Sequence, residues 1–288
     1  MQIVTDSGTD INLSSEQQKE LNVHVVPLNV SLGDVTYKEG VDIQPAEFYP
    51  LLAETEDMPT TSQPSAGEFA DVYKNILEYD QDILSIHISS GLSGTYNSAL
   101  AGAQMLPEAN ITVIDAKTLS AAAGWQVEAA ARAIKKGWEL DRVKSLLERI
   151  SAASDSIYTL SELKYLIHGG RISHMKGLVA SILNIKPLIG VEKEGGTYVQ
   201  MGQSRTFKRA VQGLVNLIGE KHPPGSELRV QVLHSFNFEG AALLKDLIDK
   251  TYKCSWLPDG HISLVLGAHT GPSMIGAAYA LQEEFEDL

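Results

Sequence analysis

The segment Ser89–Tyr96, with the sequence SSGLSGTY, combines hydroxyl side chains with two glycines. It follows the apolar run Ile83–Ile88, which is typical of a buried strand, and it precedes Asn97–Leu106, which we predict to be a helix. Glycines let the backbone approach a bound group closely, and free N–H groups at the start of a helix attract anions. No lysine follows the glycines as in a P-loop, so we expect a small anion, either a carboxylate or a single phosphate.

A second group of hydroxyls lies in Thr60–Ser65, with the sequence TTSQPS, which we predict to be a turn. Ser65 and Glu68 have the spacing of a capping box at the start of a helix. Capping accounts for Ser65 but not for the polar residues before it. Thr61 and Ser62 are therefore candidate donors to the same anion, and the ordinary polarity of turns is the alternative.

Two further candidates carry a positive charge or a titratable ring. The turn Gly169–Ser173 presents Arg171, whose guanidinium matches carboxylates and phosphates, although a surface ion pair is the more common role of a single arginine. His269 follows Ser263–Leu266, which we predict to be a strand, so we expect it at the end of that strand and near the site. A structural histidine is the alternative.

A nucleophile is the competing interpretation of the glycine-rich loop. Ser93, with His269 and either Asp6 or Asp115, contains the residue types of a Ser-His-Asp triad. The loop has a threonine where a G-x-S-x-G elbow has its last glycine. We therefore favour binding over hydrolysis and predict no catalytic residue.

Short apolar segments alternate with amphipathic ones, which predicts an α/β fold. We expect a mostly parallel, open sheet in an N-terminal domain of residues 1–156, followed by a second α/β domain of residues 157–288. Ligands of such sheets bind beyond the carboxyl ends of the strands, so we expect one site between the domains. The predicted strands are Ile3–Thr5, Val23–Leu32, Ile83–Ile88, Ile111–Ile114, Ile157–Leu160, Lys186–Val191, Tyr198–Met201, Arg229–Leu233 and Ser263–Leu266.

The apolar stretch Gly177–Val191 allows two interpretations. A helix followed by a strand in the core has this composition, and so does the lining of an elongated hydrophobic tunnel. The sequence does not separate the two.

Composition excludes several classes of function. The 288 residues carry 36 acidic and 23 basic side chains, a net charge of −13, which opposes binding to nucleic acids and to anionic membranes. Cys254 is the single cysteine, so we expect neither a disulfide nor a multi-cysteine metal site. No nucleotide-binding glycine motif is present, and we predict no cofactor. Without a leader or an apolar span, we expect a cytoplasmic protein without membrane insertion.

Six motifs occur in one order along the chain, and together they resemble the DegV family, the bacterial fatty-acid-binding proteins also called FakB. The motifs are Thr5-Asp6-Ser7, Thr61-Ser62-Gln63-Pro64-Ser65, Ser89–Thr95, Gly169-Gly170-Arg171-Ile172-Ser173, Leu183-Asn184-Ile185-Lys186-Pro187 and His269-Thr270-Gly271-Pro272.

The resemblance implies a two-domain α/β fold that encloses one long-chain fatty acid between the domains. It also implies that Thr61 and Ser93 hold the carboxylate, with Arg171 and His269 near it. The flanking residues of these motifs that we expect to contribute to ligand binding are Ser62, Gly94, Thr95 and Thr270. A separate ATP-dependent fatty acid kinase would phosphorylate the bound acid for phospholipid synthesis. A serine-dependent hydrolase and a lipid-responsive interaction protein are the alternatives.

Overall fold

The computed structural model describes residues 1–174 and 185–288 and shows an α/β fold in those residues. The strands are β1 (Gln2–Asp6), β2 (Val23–Val26), β3 (Asn29–Leu32), β4 (Val35–Lys38), β5 (Thr60–Ser62), β6 (Asp82–His87), β7 (Asn110–Asp115), β8 (Asp155–Thr159), β9 (Lys186–Val191), β10 (Tyr198–Ser204), β11 (Glu227–His234), β12 (Lys253–Trp256), β13 (Gly260–His261) and β14 (Ile275–Leu281). The helices are α1 (Ser15–Glu20), α2 (Pro45–Glu54), α3 (Ala66–Leu77), α4 (Thr95–Gln104), α5 (Ser120–Lys135), α6 (Leu140–Ala153), α7 (Lys164–His168), α8 (Phe207–Lys221), α9 (Phe238–Asp249) and α10 (Leu264–Thr270).

The first sheet has the strand order β2-β1-β6-β7, and its strands run parallel. Helices α3, α4 and α5 contact this sheet, and β1 is buried along its whole length. Burial on both faces explains why consecutive residues of its central strands, such as Ile3 and Val4 of β1, are apolar and do not alternate with polar ones. The predicted parallel sheet is confirmed, and the loops after β1, β6 and β7 meet at its carboxyl edge.

The second sheet has the order β10-β9-β8-β14-β11-β12, and β13 pairs with β11 beside β12. The sheet is mixed: β14 runs antiparallel to both of its neighbours, β8 and β11, whereas β12 is parallel to β11. The sequence did not indicate β14, because its glycine and alanines have low strand propensity. Its central, buried position compensates for that propensity.

A third sheet, β4-β3-β5, is antiparallel and corrects two predictions. The single strand predicted over Val23–Leu32 is wrong, because Pro27, which has no N–H to donate, separates β2 from β3. Thr60–Ser62 is not a turn but strand β5, with Thr61 opposite Val30 of β3.

The strand predicted over Ser263–Leu266 is also wrong, because Leu264–Thr270 forms helix α10. Every residue of this helix is buried. A short, fully buried helix lacks the polar face that produces a helical period, so its sequence cannot be distinguished from that of a buried strand.

Local helix signals are confirmed at several ends. Ser65 forms the predicted capping box of α3, Ser14 forms another at the start of α1, and α2 begins at Pro45. Helix α5 contacts β1 and β6 of the first sheet and β8 and β14 of the second, so it lies between them. The domain division after residue 156 falls inside β8 and stays a prediction.

The apolar stretch Gly177–Val191 is only partly described. Lys186–Val191 forms the predicted strand β9, whereas residues 175–184 lie outside the described residues, together with the start of the Leu183–Pro187 motif. Among the helices that are described, none has the length and apolar character needed to cross a bilayer.

Candidate functional site

A small cavity lies between the carboxyl edge of the first sheet, strands β5 and β10, and helix α10. Five of the predicted ligand-binding residues line it: Thr61, Ser62, Ser93, Arg171 and His269. The other residues of its wall are Leu28, Gln63, Ile88, Leu92, Leu119, Tyr198, Val265 and Leu266. The structure therefore brings together residues that are more than 200 positions apart in the chain, such as Thr61 and His269, whose separation is 208.

Thr61 and His269 are joined directly. Thr61 Oγ1 lies 2.8 Å from His269 Nε2, a normal hydrogen-bond distance. Strand β5 presents the threonine, and the last turn of α10 presents the histidine. His269 therefore reaches the site from a helix, not from the end of a strand as predicted.

The His269 ring is neutral at physiological pH. Burial, with smaller effects of the nearby Arg171 charge and of His168, lowers the pKa of His269 to about 3. Its Nδ1 is buried without a hydrogen-bond partner in the described residues. The tautomer with the proton on Nε2 donates to Thr61 Oγ1, which leaves the threonine hydroxyl free to donate to a guest in the cavity.

Thr95 positions the hydroxyl group of Ser93. Ser93 Oγ lies 2.8 Å from Thr95 Oγ1 and accepts a hydrogen bond from the Thr95 N–H at 3.3 Å. Thr95 is fully buried. If the Thr95 hydroxyl donates to Ser93, the serine proton is free for a guest. Thr95 thus orients Ser93 and does not itself line the cavity.

Gly94 precedes helix α4 and allows close packing beside Ser93. A Cβ at Gly94 would lie 2.7 Å from Gln63 Nε2, so the glutamine side chain occupies the space that a larger residue would need. Gly94 has no side chain to cap the helix. The first N–H groups of α4 therefore depend on other partners.

Arg171 contributes the positive charge at this cavity. Its Nη1 donates to the Gly169 carbonyl oxygen at 2.7 Å. Within residues 1–174 and 185–288 it forms no ion pair, and the remaining residues, 175–184, include no aspartate or glutamate. The charge is available to an anionic guest, and the surface ion pair considered as its alternative role is not formed there.

A second small pocket is next to this cavity, and Leu119 lines both spaces. Its wall is mostly apolar and includes several small residues of β14. Tyr158 of this pocket packs edge-on against Tyr198 of the first cavity, with ring centroids 5.6 Å apart. The first cavity is thus adjacent to an apolar space between the start of α5 and the second sheet.

Sequence reasoning both missed and misplaced residues of the site. Gln63 lines the cavity and follows Thr61 and Ser62 in the same motif, so the motif itself was a signal for it. Tyr198 has no comparable signal. Thr270 does not line the cavity, because its buried hydroxyl donates to the Leu266 carbonyl oxygen at 3.0 Å within α10.

The hydrolase alternative is not supported by the geometry. Ser93 pairs with Thr95 and His269 pairs with Thr61, so serine and histidine are not hydrogen-bonded to each other. The two candidate carboxylates are used elsewhere: Asp6 pairs with His87 and Asp115 accepts from Ser90. A Ser-His-Asp triad is therefore not assembled in the described residues.

Comparison with known proteins identifies the family. A family model described as "Uncharacterised protein, DegV family" matches residues 1–282. The chain belongs to the DegV family. The resemblance predicted from the ordered motifs is thus confirmed.

Individual members of the DegV family match over nearly the whole chain. A DegV domain-containing protein of Staphylococcus aureus is 34% identical over 274 residues, covering 95% of this chain and 96% of that protein. A solved structure described as fatty acid binding of a DegV family protein from Thermus thermophilus has 30% identity and a TM-score of 0.85, covering 97% of this chain and 99% of that one. DegV from Bacillus subtilis, described as a fatty acid binding protein, has 28% identity and a TM-score of 0.85, covering 98% and 99%.

Proposed function

We propose that this chain binds one long-chain fatty acid, with the carboxylate held by Thr61 and Ser93 beside Arg171 and His269. The observation that carries the proposal is the juxtaposition of neutral donors with an arginine that forms no ion pair among the described residues, in one cavity that shares Leu119 with an apolar pocket. The fatty acid binding described for the Thermus thermophilus and Bacillus subtilis relatives supports it.

The apolar pocket would take the acyl tail. Burying about 14 methylenes of a C16 acid provides on the order of 11 kcal/mol, at about 0.8 kcal/mol for each CH₂. Loss of translational freedom and ordering of the flexible chain offset much of this gain. Burial of the tail therefore contributes to affinity. The net free energy left after these costs is small enough that the hydrogen bonds of the carboxylate also matter.

The carboxylate must keep its hydrogen bonds when it leaves water. A buried carboxylate without partners costs several kcal/mol. His269 can donate a hydrogen bond to the Thr61 oxygen, and the Thr95 hydroxyl can donate one to the Ser93 oxygen. Thr61 and Ser93 then each keep their own proton to donate to the guest. Hydrogen bonds from neutral donors compensate for the loss of water around the carboxylate. They do so without engaging both carboxylate oxygens in a bidentate ion pair.

We further propose that the chain is a carrier, not an enzyme, and that it presents the carboxylate to a separate ATP-dependent kinase in the cytoplasm. A carboxylate oxygen would form a bond to the γ-phosphorus of ATP while the bond to the β-phosphate oxygen breaks, which yields an acyl phosphate and ADP. Arg205 and Lys208, both exposed near the start of α8, are candidate contacts for that partner in an otherwise acidic chain, as is the half-buried Arg171.

Mass spectrometry of an organic extract from the purified, denatured protein tests the binding proposal. We expect about one equivalent of a C14 to C18 acid, and Ser93→Ala should retain less of it or transfer it less to a kinase. A protein that neither contains a fatty acid nor binds an added C16 acid would refute the proposal. Acyl phosphate formation with ATP and a fatty acid kinase, trapped as a hydroxamate, tests the presentation step separately.

A further inference from the structure

Helix α10 is held at both ends by the sheet β4-β3-β5. His269, in its last turn, bonds to Thr61 of β5, and its first residue, Leu264, donates its N–H to the Glu39 carboxylate. Glu39 directly follows β4. From this arrangement, and resting on the proposed function, we propose that Glu39 is a positioning residue for the carboxylate site and acts through α10 on His269.

The contacts of Glu39 join three separate parts of the chain. Besides the Leu264 N–H, it accepts hydrogen bonds from the Ser263 hydroxyl at 2.8 Å and the Ser7 hydroxyl at 2.6 Å. Its own N–H donates to the Leu28 carbonyl oxygen at 2.9 Å. The residue is 8% exposed, so these bonds are protected from water. They fix the start of α10 relative to β1 and the small sheet.

The N-terminal end of α10 has no cap from its own sequence. Ser263 occupies the cap position but makes no side-chain capping bond. Its N–H donates instead to Asp10 Oδ1 at 2.7 Å, and Tyr49 donates its hydroxyl to the Ile262 carbonyl oxygen at 2.8 Å. The buried N–H of Leu264 thus relies on Glu39, since an unpaired buried N–H is costly.

The helix transmits position from one end to the other. Leu264 and His269 are five residues apart, which is about 7.5 Å along a helix at 1.5 Å per residue. Val265, Leu266 and His269 all line the cavity. A shift or rotation of the first turn would therefore move the His269 ring away from Thr61, to which Nε2 is bonded at 2.8 Å.

The test compares three substitutions at Glu39. Glu39→Ala removes the acceptor of the Leu264 N–H, and Glu39→Asp retains the charge but shortens the reach. Glu39→Gln keeps the length and one carbonyl oxygen, and the two serine hydroxyls can rotate to accept from its NH₂ group. The matched control is Thr206→Ala, which removes the cap of α8 without touching the cavity.

The first readout is the NMR signal of the His269 imidazole in ligand-free protein, and the second is the dissociation constant for a C16 acid. We expect Glu39→Ala and Glu39→Asp to shift the imidazole signal and to weaken binding by about tenfold or more, equivalent to about 1.4 kcal/mol. Glu39→Gln should restore both properties, and Thr206→Ala should change neither.

An unchanged His269 signal in Glu39→Asp, or a shift of equal size in Thr206→Ala, would overturn the positioning role. If Glu39→Ala does not fold, the comparison of Glu39→Asp with Glu39→Gln still tests the positioning role. Wild-type protein that binds no fatty acid would refute the proposed function, but the imidazole signals would still report independently on the coupling between Glu39 and His269.

Discussion

The carboxylate site can be tested most directly by Thr61→Val, which replaces the hydroxyl with a methyl group of nearly the same shape. Valine suits strand β5, because β-branched residues are favoured in strands. The substitution removes the group that bonds His269 Nε2 at 2.8 Å and that we propose donates to the ligand. It therefore separates the chemistry of the hydroxyl from the packing of the side chain.

The structure predicts two magnitudes for this substitution. A hydrogen bond to a charged group contributes about 1.5–3 kcal/mol, so we expect the dissociation constant of a C16 acid to rise by about 10- to 150-fold. In the ligand-free protein, His269 would then lack partners at both ring nitrogens, because Nδ1 is already unpartnered in the described residues. An unsatisfied buried group costs about 1–3 kcal/mol, so the free energy of unfolding should fall by that amount.

Isothermal titration and urea unfolding measure these two quantities. Thr60→Val is the matched control, since Thr60 precedes Thr61 on β5, is exposed and lies on the opposite face of the strand. Ser93→Ala completes a double-substitution cycle. If Thr61 and Ser93 hold the same carboxylate, their effects on binding should deviate from additivity by about 0.5–3 kcal/mol.

Two results would refute this reasoning. A less than twofold change in affinity for Thr61→Val, equal to that of Thr60→Val, would show that the Thr61 hydroxyl does not contact the ligand. Strict additivity with Ser93→Ala would show that the two hydroxyls do not share one guest.

Three further predictions follow from the cavity and from α10. Burial raises the pKa of Glu39 from 4.5 to about 7, and the nearby acid Asp6 adds to the effect. The stability contributed by Glu39 is therefore complete below pH 4.5 and is lost as pH rises through about 7. Relative to Glu39→Gln, urea unfolding should show that wild type loses roughly 3 to 4 kcal/mol over this range, at about 1.4 kcal/mol per pH unit. In Gly169→Ala the new Cβ would lie 2.1 Å from His269 Nδ1, so the ring must move, and titration with a fatty acid should show weaker binding. The control is Gly67→Ala, which should bind normally because the atom nearest to its new Cβ is 3.8 Å away. Ala278→Leu narrows the apolar pocket, so competition between chain lengths should show a larger loss of affinity for C18 than for C14 acids. An equal loss for both acids would contradict the placement of the tail.

Local signals in the sequence were sufficient for much of the fold. The parallel sheet follows from apolar runs at β1, β6 and β7, and the starts of α1 and α3 follow from the capping residues Ser14 and Ser65. These features depend on neighbours within a few positions, so a short window of sequence contains their physical cause. The order of the motifs was sufficient to identify the family.

The site itself also depended on contacts that no local window contains. The sequence named Thr61 and His269, but it placed one on a turn and the other after a strand, whereas they lie on β5 and α10. Their hydrogen bond, the entry of Tyr198 into the cavity wall and the contact of Glu39 with Leu264 join residues far apart in the chain. A buried helix and a buried strand have the same apolar composition, so only the packing of the whole chain determined which one presents His269 to Thr61.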